Sequence, residues 1–394
     1  MSRIMIIAGG KWQCPITQLA KAKGHYVICS NLYKDSPAFE FADVGIVANV
    51  LDKDRNLEIA KRYKPDAILT DQTDIAVPTV AYLAERLDLK GIGCEVASRF
   101  TNKFKMRQIT SVAGFISPQF RLCHSVDEAK KFLSKVPTCI IKPLDSQSSR
   151  GVHVIKSEKD IEDNFDDCIQ YSNVERAIVI EEYIDGTEFT VDGVKTENEY
   201  IVTAISEKEH YDYNPNIANK LVFSQNNSRY DYDKLREINT DIVKAMGLPF
   251  GLTHAEYKYK NGEFYLIEIA ARGGGTKISS DIVPLVSGIN SNEVYLDILL
   301  GNRVEIKKKK HHSHAVLGFF DFKPGMVKEI EGISEAMSLV GVVDISLEIQ
   351  VGDFLGKAQD DRSRCGYYII YADSLEELNF REKNLKKKVK VVTE

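Results

Sequence analysis

The stretch Thr253-His254-Ala255-Glu256-Tyr257-Lys258-Tyr259-Lys260-Asn261-Gly262-Glu263-Phe264-Tyr265-Leu266-Ile267-Glu268-Ile269-Ala270-Ala271-Arg272-Gly273-Gly274-Gly275 sets Asn-Gly between two aromatic-rich runs, a strong β-hairpin signal. The register decides what Glu256 and Glu268 can do together. A two-residue loop pairs Lys260 with Glu263 and leaves the two carboxylates on opposite faces. A three-residue loop, Lys260 to Gly262 with Gly262 left-handed, pairs Tyr259 with Glu263 and brings both carboxylates to one face. Glu256 then lies opposite Leu266, and Glu268 opposite His254. Carboxylates sharing a sheet face are costly unless something positive joins them. Mg2+ held by one or two carboxylates plus substrate phosphates would serve. Lys258 shares that face and Arg272 follows the strand. A polar, solvent-facing hairpin is the plainer alternative, with Tyr257, Tyr259, Phe264 and Tyr265 as packing residues.

Two segments upstream carry further chemistry. Ile140-Ile141-Lys142-Pro143 leads through Leu144, Asp145, Ser146, Gln147, Ser148, Ser149 and Arg150 to Gly151-Val152-His153-Val154-Ile155. Small residues let backbone N–H groups approach phosphate oxygens, and Lys142 adds a compact positive charge. No Gly-Lys-Ser/Thr precedes a helix, so this is not a Walker loop. An ordinary hairpin loop fits it equally well. In Ile178-Val179-Ile180-Glu181-Glu182-Tyr183-Ile184-Asp185-Gly186-Thr187-Glu188, a buried strand runs into acidic residues and a turn. Backbone at such a break can read an adenine edge, and Glu188 can accept from ribose hydroxyls; alone, it reads as a strand with charged ends.

Further outward, residues 1–100 alternate short apolar strands with helices: Ile4 to Ala8, Tyr26 to Cys29, Val44 to Val47 and Ala67 to Leu69, with helices over Pro15–Lys23, Asn56–Tyr63 and Val77–Leu87. That alternation implies a parallel sheet covered on both faces, a Rossmann-like unit. Gly9-Gly10-Lys11 lacks the third glycine of the dinucleotide fingerprint, so nicotinamide binding is not supported. From Thr101 the pattern changes to helices over Asn102–Ala113 and Val126–Leu133, then strands from Cys139 to Val194, near Tyr200–Ile205 and from Thr253 to Ala270. Glu207 to Asp233 is polar and without period, and is expected to be a binding loop or lid. Lys307 to Lys310 with His311, His312 and His314 reads as a solvated connection. Ala315 to Glu394 resumes strand and helix signals as a smaller third unit.

The 394 residues suggest two or three domains. With 52 Lys plus Arg against 57 Asp plus Glu, the net charge of −5 argues against a nucleic-acid binder. Composition is that of a globular protein, and no apolar run reaches the roughly 20 residues of a membrane helix. The seven scattered cysteines form no Cys-x-x-Cys pair, so neither a disulfide framework nor structural zinc is expected. Met1 to Ala8 has no cationic lead, and the cytoplasm is the expected compartment.

In order and spacing, these segments resemble the ATP-grasp superfamily. The hairpin from Glu256 to Arg272 looks like the metal-binding hairpin of biotin carboxylase and related enzymes. Asn102-Lys103 with Met106-Arg107 resembles the start of the grasp domain. The fold class expected is α/β and α+β: a Rossmann-like N-terminal domain (1–100), an ATP-grasp domain (101–310) and a small C-terminal α+β domain (311–394). By the resemblance, Lys103 and Lys142 hold ATP phosphates, with Ser148, Ser149 and Gly151 in the phosphate loop. Glu181, Glu182, Tyr183 and Ile184 read adenine, and Glu188 takes the ribose. Glu256 and Glu268 bind Mg2+ (or Mn2+), and Arg272 stabilises the transferred phosphoryl group. Ala270 stands where the superfamily often has Asn, and Gln147 where a glycine is common. The implied activity is ligation of a small-molecule carboxylate to an amine through an acylphosphate. His254 is closer to the amino-acid ligase pattern. A phosphoribosylglycinamide synthetase-type enzyme is one alternative, and an ATP-binding sensor or synthetase subunit another. The resemblance also makes a homodimer through the front domain plausible.

Overall fold

A computed structural model describes residues 1–147 and 149–394. The front unit runs β1 (Arg3–Ile7), α1 (Cys14–Ala22), β2 (Tyr26–Asn31), β3 (Val44–Val47), α2 (Lys53–Tyr63), β4 (Ala67–Leu69) and α3 (Val77–Arg86). Its four strands are parallel in the order β3-β2-β1-β4. The unbroken apolar run of β1 follows from burial on both faces. Ile4 and Ile6 pack with α1 and with residues of later elements, while Met5 and Ile7 pack against α2 and α3. The Rossmann-like expectation is met.

Helices α4 (Cys94–Thr101) and α5 (Lys103–Val112) follow. The Asn102 side chain accepts from the Lys105 N–H and caps α5. A second, antiparallel sheet comprises β5 (Phe120–Cys123), β6 (Cys139–Pro143), β7 (His153–Ile155) and β8 (Ile178–Glu182), in the order β5-β8-β6-β7. Helices α6 (Val126–Leu133) and α7 (Glu158–Ile169) pack with it around a separate core that includes Phe132, Ile141, Phe165 and Ile180. Strands β6 to β9 meet the expectation that strands dominate 139–194, and helix α7 is the element it did not foresee. Ser157 and Asp160 close a capping box, and Ile161, Phe165, Cys168 and Ile169 form the buried stripe.

The large sheet begins with β9 (Thr187–Lys195), β10 (Tyr200–Tyr211) and β11 (Asn214–Ser224), followed by α8 (Tyr232–Met246), β12 (Gly251–Lys260) and β13 (Glu263–Ala270). A π-helical turn (Ile278–Ile282) leads into α9 (Val283–Ser287) and α10 (Ser291–Leu299). The rest is β14 (His314–Phe319), β15 (Gly325–Glu331), α11 (Ile333–Met337), β16 (Val342–Leu347), β17 (Phe354–Leu355), β18 (Gly366–Ala372), α12 (Leu375–Lys388) and β19 (Lys390–Thr393). Eight strands join in the order β13-β12-β9-β10-β11-β14-β18-β16, so the C-terminal segment extends the same sheet. Strands β17, β15 and β19 form a small sheet of their own. No helix among the described residues is long and apolar enough to cross a membrane.

Two further expectations are corrected here. Most of 207–233 is not a loop: β10 and β11 pair along it, joined by the turn Asp212-Tyr213, and the longest stretch without regular structure lies between Ser224 and Tyr232. The hairpin uses the two-residue loop, with Lys260 opposite Glu263 and positive φ at both Asn261 (52°) and Gly262 (87°). That register alone would separate the glutamates. A bulge at Ile267 shifts the ladder between Tyr257–Leu266 and Glu256–Glu268, so the two carboxylates stand directly opposite each other.

Gly186 crosses under this hairpin. A Cβ there would lie 2.1 Å from the Tyr259 carbonyl oxygen, and backbone cannot yield as a side chain can. Gly186→Ala is expected to lower stability by about 1–3 kcal/mol, measurable by urea denaturation.

Candidate active site

Cross-strand partners in antiparallel pairs share a face, and this places a grid of charge on β10, β9, β12 and β13. Lys208, Glu188 and Lys258 form one row; Ser206, Thr190, Glu256 and Glu268 form the next; Asp192 and His254 follow. Within the grid, the Lys208 ammonium lies 2.6 Å from Glu188 Oε1 and 2.7 Å from Glu256 Oε1. Lys258 and His210 approach the other Glu188 oxygen, each at 3.3 Å. Burial pushes the Glu188 carboxyl up, but Lys208, His210 and Lys258 outweigh it and hold the group well below the ordinary carboxylate range. Glu256 is likewise lowered, burial being outweighed chiefly by Lys208. His254 Nδ1 is 2.9 Å from Asp192 Oδ1, which also accepts from the Gly274 N–H.

Helix α5 faces this grid. Lys103 Nζ donates to Glu268 Oε1 at 2.7 Å and to the Ser146 carbonyl at 2.8 Å, linking helix, hairpin and the loop after β6. One turn on, Arg107 is fully buried. Its Nε is 2.8 Å from Glu181 Oε1, and its Nη2 donates to the Ile267 carbonyl at 2.7 Å. The bulge that aligns the glutamates is therefore fixed by a helix from outside the hairpin. Lys142 Nζ completes the cluster, 2.8 Å from Glu181 Oε2. Burial raises the Glu181 carboxyl, yet Arg107 and Lys142 outweigh it and hold it at about 2.

Arg272 is gripped from the front unit. Its Nε and Nη2 donate to the two oxygens of Asp74, at 3.0 and 2.6 Å. Nearby, the Gly273 N–H donates to the Asp71 carbonyl at 2.7 Å. Burial pushes the Asp71 carboxyl up to about 7, with hydrogen bonds from Gln72 among the groups opposing it.

The structure thus gathers Lys103, Glu188, Glu256 and Glu268 with Lys208, and places Lys142 and Glu181 in an adjoining buried cluster. Glu182 and Tyr183 already donate their N–H groups to Gln119 and Thr138. Ile184 follows at the end of β8, where backbone is not committed to a strand. Ser149 (φ 56°) and Gly151 (φ 69°) turn the loop after β6, and Ser148 lies outside the described residues. The sequence reading passed over Lys208, His210, Asp192 and Asp74. Alternation of Ser206, Lys208 and His210 was the available signal, and the polar residues between them hid it.

Two outcomes follow from these buried charges. Glu181→Gln strips the partner from two buried cations and should cost about 3–5 kcal/mol in chemical denaturation. Asp71 binds its proton more tightly folded than unfolded, so its contribution to stability falls as pH rises from about 4 to about 7. Asp71→Asn should therefore flatten the melting temperature across that window and stabilise the protein at pH 8.

Residues 135–281 match the ATP-grasp domain family, and residues 318–394 match the L-amino acid ligase C-terminal domain 2. The alanine–anticapsin ligase of Bacillus subtilis is 29% identical over 279 residues, covering 64% of this chain and 58% of that protein. The chain spans between 56% and 64% of the length of the first curated relatives it matches. Among solved structures, an L-amino acid ligase from Bacillus licheniformis superposes with a TM-score of 0.82 at 20% identity, covering 100% of this chain and 99% of that one. A phosphoribosylglycinamide synthetase from Anaerococcus prevotii gives a TM-score of 0.78 at 19% identity, covering 100% of both chains. Residues 135–281 thus carry an ATP-grasp domain, and the chain as a whole has the fold that these two enzymes share.

Proposed function

We propose that the protein is an ATP- and Mg2+-dependent carboxylate–amine ligase acting on an amino acid or a similar small carboxylate. The observation that carries this reading is the directly opposed pair Glu256–Glu268, each carboxylate neutralised by a lysine from a different element. The pair fits a divalent cation that shares its coordination with phosphates. No group of three or more His, Cys, Asp or Glu among the described residues could hold a metal ion by itself. When bound, Mg2+ supplies charge neutralisation on the phosphate oxygens.

The chain's own residues divide the remaining work. Lys103 and Lys142 offer ammonium groups to the phosphates, and the loop containing Ser148, Ser149 and Gly151 offers backbone N–H donors. The segment Glu181 to Ile184 borders the base, and Glu188 faces the ribose. Arg272, its orientation set by Asp74, binds the carboxylate and the oxygens of the transferring group. A substrate carboxylate oxygen attacks the γ-phosphorus and ADP leaves; the amine nitrogen then attacks the acyl carbon and inorganic phosphate leaves. The L-amino acid ligase match over 318–394 and His254 beside Glu256 support an amino-acid substrate over the phosphoribosylamine of the purine reading. Retention of Glu256, Glu268 and Arg272 together speaks against a sensor without chemistry.

Phosphate release from Mg-ATP, assayed across pairs of amino acids and with phosphoribosylamine plus glycine, tests the reading. Release that requires two amino acids is the expected result. Glu268→Gln should abolish turnover, leaving the circular dichroism spectrum unchanged; wild-type activity in that variant would remove the metal assignment.

A further inference from the structure

Lys208 has no assigned role in the chemistry above, yet it holds the tightest position on the charged face. Its side chain is 11% exposed and its ammonium touches two carboxylates from two neighbouring strands. Lys258, on the same row, touches only Glu188 and at the longer distance of 3.3 Å. The count of charge is instructive: Glu188 and Glu256 against Lys208 and Lys258 sum to zero. Adding Glu268 and its partner Lys103 changes nothing. A divalent cation approaching without nucleotide finds these three carboxylates already paired with ammonium groups, which leaves little net attraction to repay its lost hydration. An ammonium and a divalent cation also cannot share the same carboxylate oxygens without strong repulsion.

We propose that Lys208 is a resident counter-ion that bars a bare divalent cation from the Glu256 carboxylate and yields only when nucleotide phosphates bring compensating negative charge. Metal loading is thereby made conditional on nucleotide, so the carboxylates are not titrated by free Mg2+ alone. The inference rests on Glu256 as a cation ligand. It goes beyond that reading in assigning Lys208 the selectivity between the free ion and the ion with nucleotide.

The test measures Mn2+ binding by electron paramagnetic resonance, alone and with a non-hydrolysable ATP analogue, on the full chain. Lys208→Met should bind bare Mn2+ at least about tenfold more tightly than wild type, a modest demand for removing a charge some 4 Å away. Lys208→Gln, neutral and still able to donate hydrogen bonds on a shorter side chain, carries the same expectation should the methionine variant fold poorly. Lys208→Arg should remain like wild type, and Lys258→Met should gain less. Because linkage is reciprocal, the metal-dependent gain in analogue affinity should shrink in Lys208→Met by the same factor. If wild type binds Mn2+ with the analogue but neither neutral variant gains affinity for bare Mn2+, the counter-ion role is overturned and Lys208 is a structural tie. If wild type shows no Mn2+ binding even with the analogue, the ligase reading itself fails.

Discussion

Two carboxylates placed directly opposite each other on neighbouring strands repel, and everything around the hairpin answers that repulsion. Glu256 and Glu268 are opposed because Ile267 bulges out of β13, and the bulge is held because its carbonyl accepts from Arg107. Arg107 can be buried there only because Glu181 meets it, and Glu181 also takes Lys142. One residue of register in a two-stranded turn is thus underwritten by ion pairs that reach across α5 and the second sheet. Removing any one partner leaves a charge in a place with little water.

The same logic explains why the charged face is tolerated beneath α5. Cations arrive from separate directions: Lys208 and Lys258 from the large sheet itself, Lys103 from a helix, and Arg272 bound to an aspartate of the front unit. Each is a counter-charge that a phosphorylated substrate can compete for. Under the proposed function, stability and nucleotide binding would draw on one set of groups.

The fold was legible where burial leaves a simple mark. The four apolar residues of β1 are covered on both sides, and the boundaries of β3, β4 and α6 match the residues read from pattern. The strand expected near Tyr200–Ile205 is the first half of β10; its second half was missed because Ser206, Lys208 and His210 take positions where apolar alternation would have been seen, and β11 was missed with it. Helix α7 was missed because acidic residues crowd its exposed side and dilute the stripe of Ile161, Phe165 and Cys168. The Asn-Gly turn was legible, but the register was not. Local sequence specifies the turn, whereas the bulge depends on a guanidinium that lies 160 residues away in the chain.

The apolar cores distinguish two kinds of seam. The front unit shares its core with the large sheet, since Ile4 and Ile6 pack in one cluster with Val194, Leu252 and Leu296. The sheet of β5 to β8 has its own core, and α5 ties it to the hairpin: Lys103 and Arg107 make polar contacts to both, while Phe104 packs with Leu144, Ala177 and Val179. An oily seam resists sliding because any gap exposes hydrocarbon. At the other seam the buried ions are paired with one another, so an anion entering there would take its counter-charges from the contacts that already hold the sheet to the hairpin.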